Sequence, residues 1–168
     1  MNKDLRSKLA RTEMLILDVD GVLTDGRLFY GSAGIEMKAF NVHDGYGIKK
    51  IQLEGISIAI VSGRTSDAVE RRAKELNIRF LFQNVAQKDE VLEELCRESG
   101  IQPRHMAHVG DDLPDLALFQ NVGLGIAVAD ARVEVQKSAD FVTKAKGGEG
   151  AVREVCELIL ASRLEGNE

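Results

Sequence analysis

The sequence predicts an α/β protein with a doubly wound, mainly parallel sheet that is covered by helices on both faces. Short apolar runs typical of buried strands alternate along the chain with segments of helical periodicity. Several of these runs lead directly into glycine, serine or aspartate, which are residues typical of turns. In such sheets ligands bind beyond the carboxyl ends of the strands, so these turns are where we expect a functional site.

The first part of the chain predicts a helix, a strand and a hairpin. Residues 1–13 are expected to form a short polar helix, and an apolar run predicts the first strand at about residues 14–19. Two β-like runs, Arg27–Gly31 and Ile35–Asn41, are separated by three small residues, which predicts a β-hairpin at about residues 26–41. Because the hairpin is apolar on both faces, we expect either a partner subunit or its own domain to cover it.

The rest of the chain alternates between helix and strand. Helical periodicity begins near Asp44 and stops at Gly55, and glycine commonly closes a helix. A final helix is predicted at residues 150–163. Between these two helices the pattern predicts, in order, strand 56–61, helix 65–76, strand 79–82, helix 89–99, strand 105–109, helix 113–120, strand 123–127, helix 131–137 and strand 140–142.

Composition excludes several classes of function. The 168 residues suit one domain, and 44% hydrophobic with 29% charged residues are typical of a globular protein. The formal net charge of −5 argues against non-specific nucleic-acid binding. Apolar runs stay well short of the roughly 18 residues of a membrane span, and residues 1–13 lack the apolar core of a signal peptide. We therefore expect a cytoplasmic protein that binds neither nucleic acid nor membrane.

Carboxylates, a hydroxyl and a lysine collect at one predicted edge of the sheet. Asp18 and Asp20 end the first strand, and because side chains alternate along a strand they are expected to share one side. Two such carboxylates repel each other unless a cation or a proton lies between them, although an N-cap or turn role is an alternative. Other groups expected at this edge are Ser62, Gly63, Lys88, Asp111 and Asp112.

Together these groups suit phosphoryl transfer. Asp18, Asp20 and Asp111 offer the hard oxygen ligands that Mg²⁺ prefers. Ser62 and Lys88 can hold phosphate oxygens, and phosphoryl transfer needs mainly positioning and charge neutralisation. A carboxylate can also act as the nucleophile and form an aspartyl-phosphate. Asp18, which the strand holds, fits that role, and Asp20, in the turn, fits the proton carrier.

With these motifs the chain resembles a known family, the haloacid dehalogenase-like phosphatases. The residues that carry the resemblance are Asp18-Val19-Asp20-Gly21-Val22-Leu23-Thr24, Ser62-Gly63-Arg64, Lys88 and Gly110-Asp111-Asp112, in the order of the family's four motifs. The resemblance covers residues 14 to about 142. It implies that Asp18 is the nucleophile and that Asp20 is the general acid/base, which also gives its backbone carbonyl to magnesium.

The same resemblance assigns roles to the remaining motifs. It implies that Ser62, Gly63 and Lys88 bind the phosphoryl group. It also implies that Asp111 completes the Mg²⁺ site, with Asp112 in support. Many members of the family insert a cap domain after the first motif or between the second and third, but the corresponding gaps here are too short for one.

Within this family the chain resembles the small tetrameric 3-deoxy-D-manno-octulosonate 8-phosphate phosphatases of lipopolysaccharide synthesis. The residues that support this narrower resemblance are Asp25-Gly26, the segment 41–49 and the segment 147–154. In that group hairpins from four subunits associate, and a neighbour closes each site. The resemblance therefore implies a homotetramer, and it implies a phosphorylated sugar acid as the substrate.

Such a substrate carries a carboxylate as well as a phosphate, so further polar and cationic contacts are expected. The candidates for these contacts are Asn41, Val42, His43, Asp44, Gly45, Lys49, Arg64 and Arg72. Each has an ordinary alternative. Arg64 could form a surface ion pair and Lys49 could lie on a solvated helix face. Arg72 falls on the apolar stripe of its predicted helix, where a long cation is usually paired or reaches out to water.

A few other polar residues fit a structural role at least as well as a functional one. Asp115 either caps a helix, which would place its charge at the positive end of the helix dipole, or supports the metal site. His105 and His108 are more often core or surface residues than ligands. The glycine-rich segment 147–150 could bind an anion, but an ordinary helix N-terminus explains it equally well.

Three other functions compete with the sugar-acid phosphatase. A phosphoacceptor signalling domain of receiver type also uses an acidic pocket, a hydroxyl and a lysine, but its acceptor follows the third strand. Here residues 80–84 contain no aspartate. A non-catalytic relative, as in domains appended to sugar-acid cytidylyltransferases, conflicts with four intact motifs. The main rival is a capless phosphatase for another acid sugar, such as a nonulosonate 9-phosphate.

Overall fold

A six-stranded parallel sheet forms the centre of the computed structural model, which describes residues 2–165. The strands in chain order are β1 (Met14–Leu17), β2 (Phe29–Tyr30), β3 (Glu36–Met37), β4 (Ser57–Val61), β5 (Phe80–Phe82), β6 (Met106–Gly110), β7 (Leu124–Ala127) and β8 (Phe141–Val142). The order across the sheet is β5-β4-β1-β6-β7-β8, and β2 pairs with β3 in a separate antiparallel hairpin. The predicted doubly wound sheet and hairpin excursion are confirmed.

Helices cover both faces of this sheet. They are α1 (Lys3–Ala10), α2 (Val42–Leu53), α3 (Asp67–Glu75), α4 (Val91–Ser99), α5 (Leu116–Phe119), α6 (Val133–Ser138) and α7 (Ala151–Glu165). Alternate side chains of β1 pack on the two faces of the sheet, because successive side chains of a strand point to opposite sides. Leu15 and Leu17 belong to the core beneath α1, α2 and α7, whereas Met14 and Ile16 belong to the core beneath α4.

The first strand is shorter than the sequence pattern predicts. It ends at Leu17 rather than at residue 19, and the chain turns immediately after Asp18. The backbone N–H groups of Val22, Leu23 and Thr24 all point back to the carbonyl of Val19, which holds this turn together. Because Asp18 and Asp20 both lie beyond the strand, strand alternation does not determine the relative directions of their side chains, contrary to the prediction.

The hairpin is also shorter than predicted. Its ladder contains only the pairs Phe29 with Met37 and Tyr30 with Glu36. Five residues, 31–35, lie between the strands rather than the predicted three, and Ser32–Gly34 among them form a 3₁₀ turn with Ala33 at φ 64° and Gly34 at φ 77°. A two-stranded hairpin without further strands has little to stabilise it in water, which accounts for so short a ladder within one chain.

Helix boundaries differ from the predictions by a few residues, and capping explains the difference at the second helix. The α2 helix begins at Val42, two residues before the predicted start, because the Asn41 side chain accepts the N–H of His43. Two predicted helices begin as 3₁₀ turns, at Lys88–Glu90 and Leu113–Asp115. Within residues 2–165 no helix has the length and apolar character to cross a bilayer.

Candidate active site

The site lies where three neighbouring strands end. In the sheet β1 runs between β4 and β6, and Leu17 is level with Ile60 on one side and Val109 on the other. The residues that follow these strands therefore emerge at the same edge, which is the carboxyl edge where ligands bind in sheets of this type. Asp18 follows β1, and Ser62 follows β4. A third residue of the edge, Asp111, follows β6.

A buried lysine bridges two carboxylates at this edge. Lys88 Nζ lies 2.9 Å from Asp18 Oδ1 and donates to Asp115 Oδ1 at 2.6 Å. The Lys88 side chain is 5% exposed, so these ionic contacts are poorly screened by water. Burial raises the pKa of Asp18, and the positive charge of Lys88 opposes that shift without cancelling it. Burial lowers the pKa of Lys88, but the two carboxylates outweigh burial and leave it raised.

Asp111 adds a third carboxylate, and one of its oxygens lacks a hydrogen-bond partner. One oxygen from each of Asp18, Asp111 and Asp115 lies within 4.8 Å of the others. Asp111 Oδ1 is buried and accepts no hydrogen bond. Burial, together with the charges of Asp18 and Asp115, raises the pKa of Asp111 to about 8. A buried, unpartnered carboxylate oxygen beside another carboxylate fits a divalent cation of the hard, oxygen-binding class.

Asp115 is less suited to bind that cation because both of its oxygens are occupied. Its Oδ1 accepts from Lys88 and lies 2.9 Å from His108 Nε2. Its Oδ2 accepts the backbone N–H of Asp111 at 2.9 Å and of Asp112 at 3.2 Å. The Asp112 side chain accepts the N–H of Leu113 and also the backbone N–H of Asp115, so the two aspartates form a capping box. The capping alternative for Asp115 is thus observed together with a direct contact to Lys88.

Asp20 lies in a different set of charges. Its carboxylate is bonded to Lys38, and its Oδ2 is 3.6 Å from Arg64 Nε. Arg64 Nη2 also donates to Glu36 Oε2 at 2.7 Å and to Tyr30 Oη at 3.3 Å. Lys38 is nearly inaccessible, with 1% of its side chain exposed. The sequence pattern predicts that Asp20 lies on the same side as Asp18. Its carboxylate instead contacts Lys38 of the hairpin and Arg64 of the turn after β4.

Gly21 brings the first motif close to the third carboxylate. Its φ of 91° lies in the left-handed region that favours glycine. A Cβ atom at this position would come within 2.1 Å of Asp111 Oδ2, so no larger side chain fits without moving that carboxylate. The glycine of the first motif is thus required both by the turn and by the close approach.

The remaining motif residues lie in the turn after β4. Ser62 is buried, and its Oγ accepts the N–H of Arg64 at 3.3 Å. Its own backbone N–H donates to Phe82. Gly63 is exposed, and a Cβ atom there would meet only the Val85 carbonyl at an ordinary 3.6 Å. The turn presents a hydroxyl and an open backbone beside Asp18.

Asn41, Asp44 and Gly45, predicted to contact the sugar, lie within the fold. Asn41 caps α2 and its Nδ2 donates to the Gly148 carbonyl at 3.1 Å. Asp44 is 1% exposed, and its Oδ1 accepts the N–H of Arg153 at the start of α7. A Cβ on Gly45 would lie 2.4 Å from the Arg72 guanidinium. These three positions join α2 to α7 and α3, which leaves them little freedom to meet a ligand.

Val42, His43 and Lys49 face solvent instead. Val42 is 73% exposed, and His43 and Lys49 are also exposed. Among the described residues Lys49 has no hydrogen-bond or ion-pair partner, which matches the solvated-face alternative. Arg72 is mostly buried: it donates to the Asn41 carbonyl at 3.2 Å and lies over the Phe40 ring. It also lines a cavity of about 500 Å³ between the hairpin and α3.

The glycine-rich segment before α7 packs on the first motif. A Cβ on Gly147 would lie 1.7 Å from the Gly21 carbonyl, and Gly148 donates its N–H to the Val22 carbonyl. Gly148 has φ 69° and lies against the backbone of Thr24. The segment therefore supports the turn of the first motif through backbone contacts, and its glycines are needed for close approach.

Glu36 and Lys38 were not predicted to belong to the site, and His108 was expected to be a core or surface residue. A signal for the first two existed, because Glu36 and Lys38 are two residues apart in a β-like run. They can therefore share a face opposite the apolar Met37. No comparable signal marks His108, whose partners Ile16 and Asp115 lie on separate elements.

Comparisons with known proteins identify the family of this chain. A family model described as haloacid dehalogenase-like hydrolase matches residues 80–155. A protein of Escherichia coli named 3-deoxy-D-manno-octulosonate 8-phosphate phosphatase is 44% identical over 163 residues, which is 97% of this chain and 87% of the relative. The Yersinia pestis protein of the same name is 45% identical over 165 residues, or 97% of this chain and 88% of the relative.

Solved structures are equally similar. The solved structure of the phosphatase from Yersinia pestis has a TM-score of 0.95 and a sequence identity of 44%. The match covers 99% of this chain and 91% of the Yersinia pestis chain. The solved structure of the Moraxella catarrhalis phosphatase has a TM-score of 0.94 and a sequence identity of 41%. The match covers 99% of this chain and 96% of the Moraxella catarrhalis chain. The latter was determined in complex with magnesium ion, phosphate ion and a KDO molecule.

Proposed function

Since the chain belongs to the haloacid dehalogenase-like hydrolases, and within them to the group of 3-deoxy-D-manno-octulosonate 8-phosphate phosphatases, we propose that it hydrolyses 3-deoxy-D-manno-octulosonate 8-phosphate. The products are the free sugar acid and phosphate, and the reaction depends on Mg²⁺. The Moraxella catarrhalis relative holds magnesium, phosphate and KDO in one structure. The proposed role is a step in the synthesis of a lipopolysaccharide precursor.

The observation that carries the proposal is the buried cluster of Asp18, Lys88, Asp111 and Asp115. It places one cation among three carboxylates, with Asp111 Oδ1 left unpartnered. Such a cluster is costly to bury unless a ligand completes it. A divalent cation and a phosphoryl group are chemically complementary to this arrangement of carboxylates and ammonium.

Asp18 and Asp111 are the proposed side-chain ligands of Mg²⁺, and the backbone carbonyl of Asp20 is the third protein ligand. Asp115 serves as support, because its oxygens already accept four hydrogen bonds or ion pairs. When bound, the ion neutralises the charge of the phosphoryl oxygens and of the nucleophile. Asp112 caps the following turn and keeps the segment of Asp111 in place.

Asp18 is the proposed nucleophile. One of its carboxylate oxygens attacks phosphorus, the bond from phosphorus to the sugar oxygen breaks, and an aspartyl-phosphate forms. Asp20 gives its proton to the departing sugar oxygen. Lys88, the Ser62 hydroxyl and the Gly63 N–H hold the other phosphoryl oxygens and balance their charge.

The second step returns the enzyme to its starting state. A water molecule attacks phosphorus, and Asp20 takes a proton from that water. The bond from phosphorus to Asp18 breaks, which releases inorganic phosphate. Lys38 and Arg64 contact the Asp20 carboxylate, and they stabilise it in the interval after it has lost its proton.

Arg64 and Arg72 are the proposed contacts for the carboxylate end of the substrate. Arg64 lies beside Asp20 with 44% of its side chain exposed, and Arg72 lines the cavity between the hairpin and α3. Of the other candidates, His43 and Lys49 stay accessible to a ligand, as does Val42. Asn41, Asp44 and Gly45 contribute by shaping the wall behind Arg72.

We further propose that residues 1–168 form one phosphatase domain and that the hairpin takes the place of a cap domain by associating in a homotetramer. The apolar side chains of the hairpin are exposed in the single chain, with Tyr30 at 67% and Ile35 at 59%. Exposed apolar surface of this kind commonly marks a protein interface. Cys96 and Cys156 are free thiols, which suits the proposed cytoplasmic location.

Phosphate release from a panel of esters tests the proposed substrate. The panel contains the octulosonate 8-phosphate, a nonulosonate 9-phosphate and a sugar phosphate of similar size that lacks a carboxylate. The first should give the highest kcat/KM in Mg²⁺, and a chelator should abolish its turnover. A higher kcat/KM for the nonulosonate ester would assign the enzyme to that substrate instead.

Asp18→Asn tests the proposed nucleophile. The amide is isosteric but a very poor nucleophile, so turnover should fall by at least about 10⁴-fold. The variant should unfold at a temperature close to that of the wild type. Turnover near the wild-type value in this variant would reject an aspartyl-phosphate at Asp18.

A further inference from the structure

His108 lies on β6, directly behind the carboxylate cluster. Its side chain is fully buried. Nδ1 is 3.2 Å from the carbonyl oxygen of Ile16 on β1, and Nε2 is 2.9 Å from Asp115 Oδ1. Because carboxylate and carbonyl oxygens only accept hydrogen bonds, both ring nitrogens are placed as donors, Nε2 to Asp115 and Nδ1 to Ile16. The imidazole therefore links the centre of the sheet to the site.

Packing holds the imidazole in this orientation. Gly125 on β7 is level with His108, and a Cβ there would lie 2.9 Å from the Phe119 ring. The absence of that Cβ lets Phe119 approach His108 edge-on, with ring centroids 5.6 Å apart. On the same strand as His108, a Cβ on Gly110 would lie 2.4 Å from Asp115 Cγ. Two glycines thus make room for the groups that enclose the ring.

Asp115 transmits the position of the ring to the reacting groups. The oxygen that faces His108 is also the one that accepts from Lys88 at 2.6 Å. The other oxygen accepts the backbone N–H of Asp111, the proposed Mg²⁺ ligand. A rotation of this carboxylate would therefore move Lys88 away from Asp18 and loosen the segment that carries Asp111.

Electrostatics favour the same arrangement. Burial by itself raises the pKa of Asp115, but the hydrogen bond and charge of His108, together with Lys88, outweigh burial and lower it below the ordinary range. Asp115 therefore stays an anion that can orient Lys88. Without the donor on His108, one lone pair of a buried carboxylate would lose its partner, which is costly in a dry environment.

We propose that His108 is a positioning residue of the phosphatase: it fixes the Asp115 carboxylate, and through it Lys88 and Asp111. The inference rests on the proposed function, because it gives His108 a part in that reaction. His108 contacts no reacting atom, so its effect falls on the placement of groups for the chemical step. Binding of the sugar portion, which lies on the hairpin side of the site, is independent of it.

Three variants separate positioning from packing. His108→Gln keeps an N–H donor at a similar reach, whereas His108→Leu fills similar volume without a donor. His105→Gln is the matched control, because His105 immediately precedes β6, at the end away from the site, and pairs with Glu13 at 2.6 Å. The measurements are kcat and KM for the octulosonate ester in saturating Mg²⁺, expressed per folded protein, and the unfolding temperature.

His108→Leu should lower kcat by about tenfold or more, the effect of losing one hydrogen bond to a charged group that orients the site. KM should change by less than about twofold. His108→Gln should recover most of the lost kcat, and His105→Gln should match the wild type. If His108→Leu fails to fold, His108→Gln is compared with His108→Asn instead. Only the longer glutamine amide reaches Asp115, so kcat should be higher in His108→Gln than in His108→Asn.

Binding of beryllofluoride with Mg²⁺, followed by ¹⁹F NMR, provides a readout without substrate. This phosphoryl mimic binds a nucleophilic carboxylate and a neighbouring lysine, so His108→Leu should weaken it by about the same factor as kcat, and His108→Gln should restore it. Unchanged affinity and kcat in His108→Leu, or equal losses in the Gln and Leu variants, would overturn the positioning role. Failure of the wild type to hydrolyse the ester would instead reject the proposed function, and the beryllofluoride series would still judge His108.

Discussion

At the scale of single residues, the site is defined by which carboxylate oxygens have partners. Asp115 has both oxygens filled, whereas Asp111 keeps one buried oxygen free. The Lys88 ammonium alone cannot balance the three carboxylates of the cluster. The cluster therefore needs a further positive charge, which is either a bound cation or a proton. The raised pKa of Asp111 means that a proton competes with a cation for this carboxylate.

This competition predicts how metal-free stability depends on pH. The pKa of Asp111 is about 8 in the folded chain, against an ordinary value of about 3.9 in the unfolded chain. Between these two pKa values the folded protein binds a proton that the unfolded chain has released, so stability in chelator should fall as pH rises from about 4 to 8. Asp115 adds no slope there, because its pKa is lowered and it is ionised throughout.

Thermal unfolding at several pH values, with chelator or with Mg²⁺, measures this effect. Asp111→Asn is the control, because it removes the titrating carboxyl group of Asp111 and leaves the rest of the chain unchanged. The wild type should lose more stability with rising pH than the variant does, and the apparent affinity for Mg²⁺ should rise over the same interval as the metal displaces the proton. Identical slopes in the two proteins would contradict the prediction.

At the scale of elements, the hairpin and α7 contribute to a site that lies on neither. The hairpin delivers Lys38 and Glu36 to Asp20 and Arg64. The segment before α7 packs its backbone on the turn of the first motif, and Asp44 of α2 holds the N-terminus of that helix. These contacts make the turn of the first motif sensitive to elements far away along the chain.

Replacing Lys38 tests the contribution of the hairpin. In Lys38→Ala the Asp20 carboxylate loses a buried charged partner, so kcat should fall by about tenfold to a hundredfold. Arg27→Ala, an exposed change on the same hairpin, is the control and should retain the wild-type kcat. Steady-state kinetics on both variants make the comparison, and equal rates would show that Asp20 needs no cation from the hairpin.

Asp44→Ala tests the link between α2 and α7. The N-terminus of α7 loses its carboxylate cap, and the free energy of unfolding should fall by about 1–2 kcal/mol. Asp4→Ala is the comparison, since Asp4 is an exposed acid in the first turn of α1 and should cost less than about 0.5 kcal/mol. Urea titrations of both variants give the two values. An equal, small cost for both would assign Asp44 no structural role.

At the scale of the whole molecule, one chain leaves its hairpin uncovered. The exposed apolar side chains of the hairpin are Leu28, Phe29, Tyr30, Ile35 and Met37. Charges of the site lie at the base of the same hairpin, so association of hairpins would affect both assembly and catalysis. The doubly wound sheet positions the motif residues, and the proposed neighbours complete the wall around the substrate.

Charge placed on the hairpin tests the assembly. Phe29→Asp with Ile35→Asp should convert a tetramer into monomers, because burying two carboxylates at an interface is unfavourable. Light scattering at micromolar concentration gives the mass, and the sheet should keep its unfolding temperature within a few degrees. Kinetics on the monomer should show a raised KM for the ester. A wild-type protein that is monomeric in the same measurement would reject the proposed assembly.

The sequence by itself determined the order of the elements and the set of residues at the carboxyl edge. Periodicity is a local property, and parallel strands bring their carboxyl ends to one edge wherever they stand in the sheet. Asp18, Ser62 and Asp111 could therefore be predicted to emerge together. Exact boundaries were less predictable, because caps such as Asn41 decide where a helix begins.

Only the tertiary structure decided which groups become partners. Asp20 with Lys38, Asp44 with the start of α7, and His108 with Asp115 each depend on how separate elements pack. No period or motif encodes such pairings, since a buried polar group takes whichever partner the packing brings within reach. The carboxylates of the site could be predicted from the sequence alone. Their hydrogen-bond partners, and hence their protonation, depend on the tertiary structure.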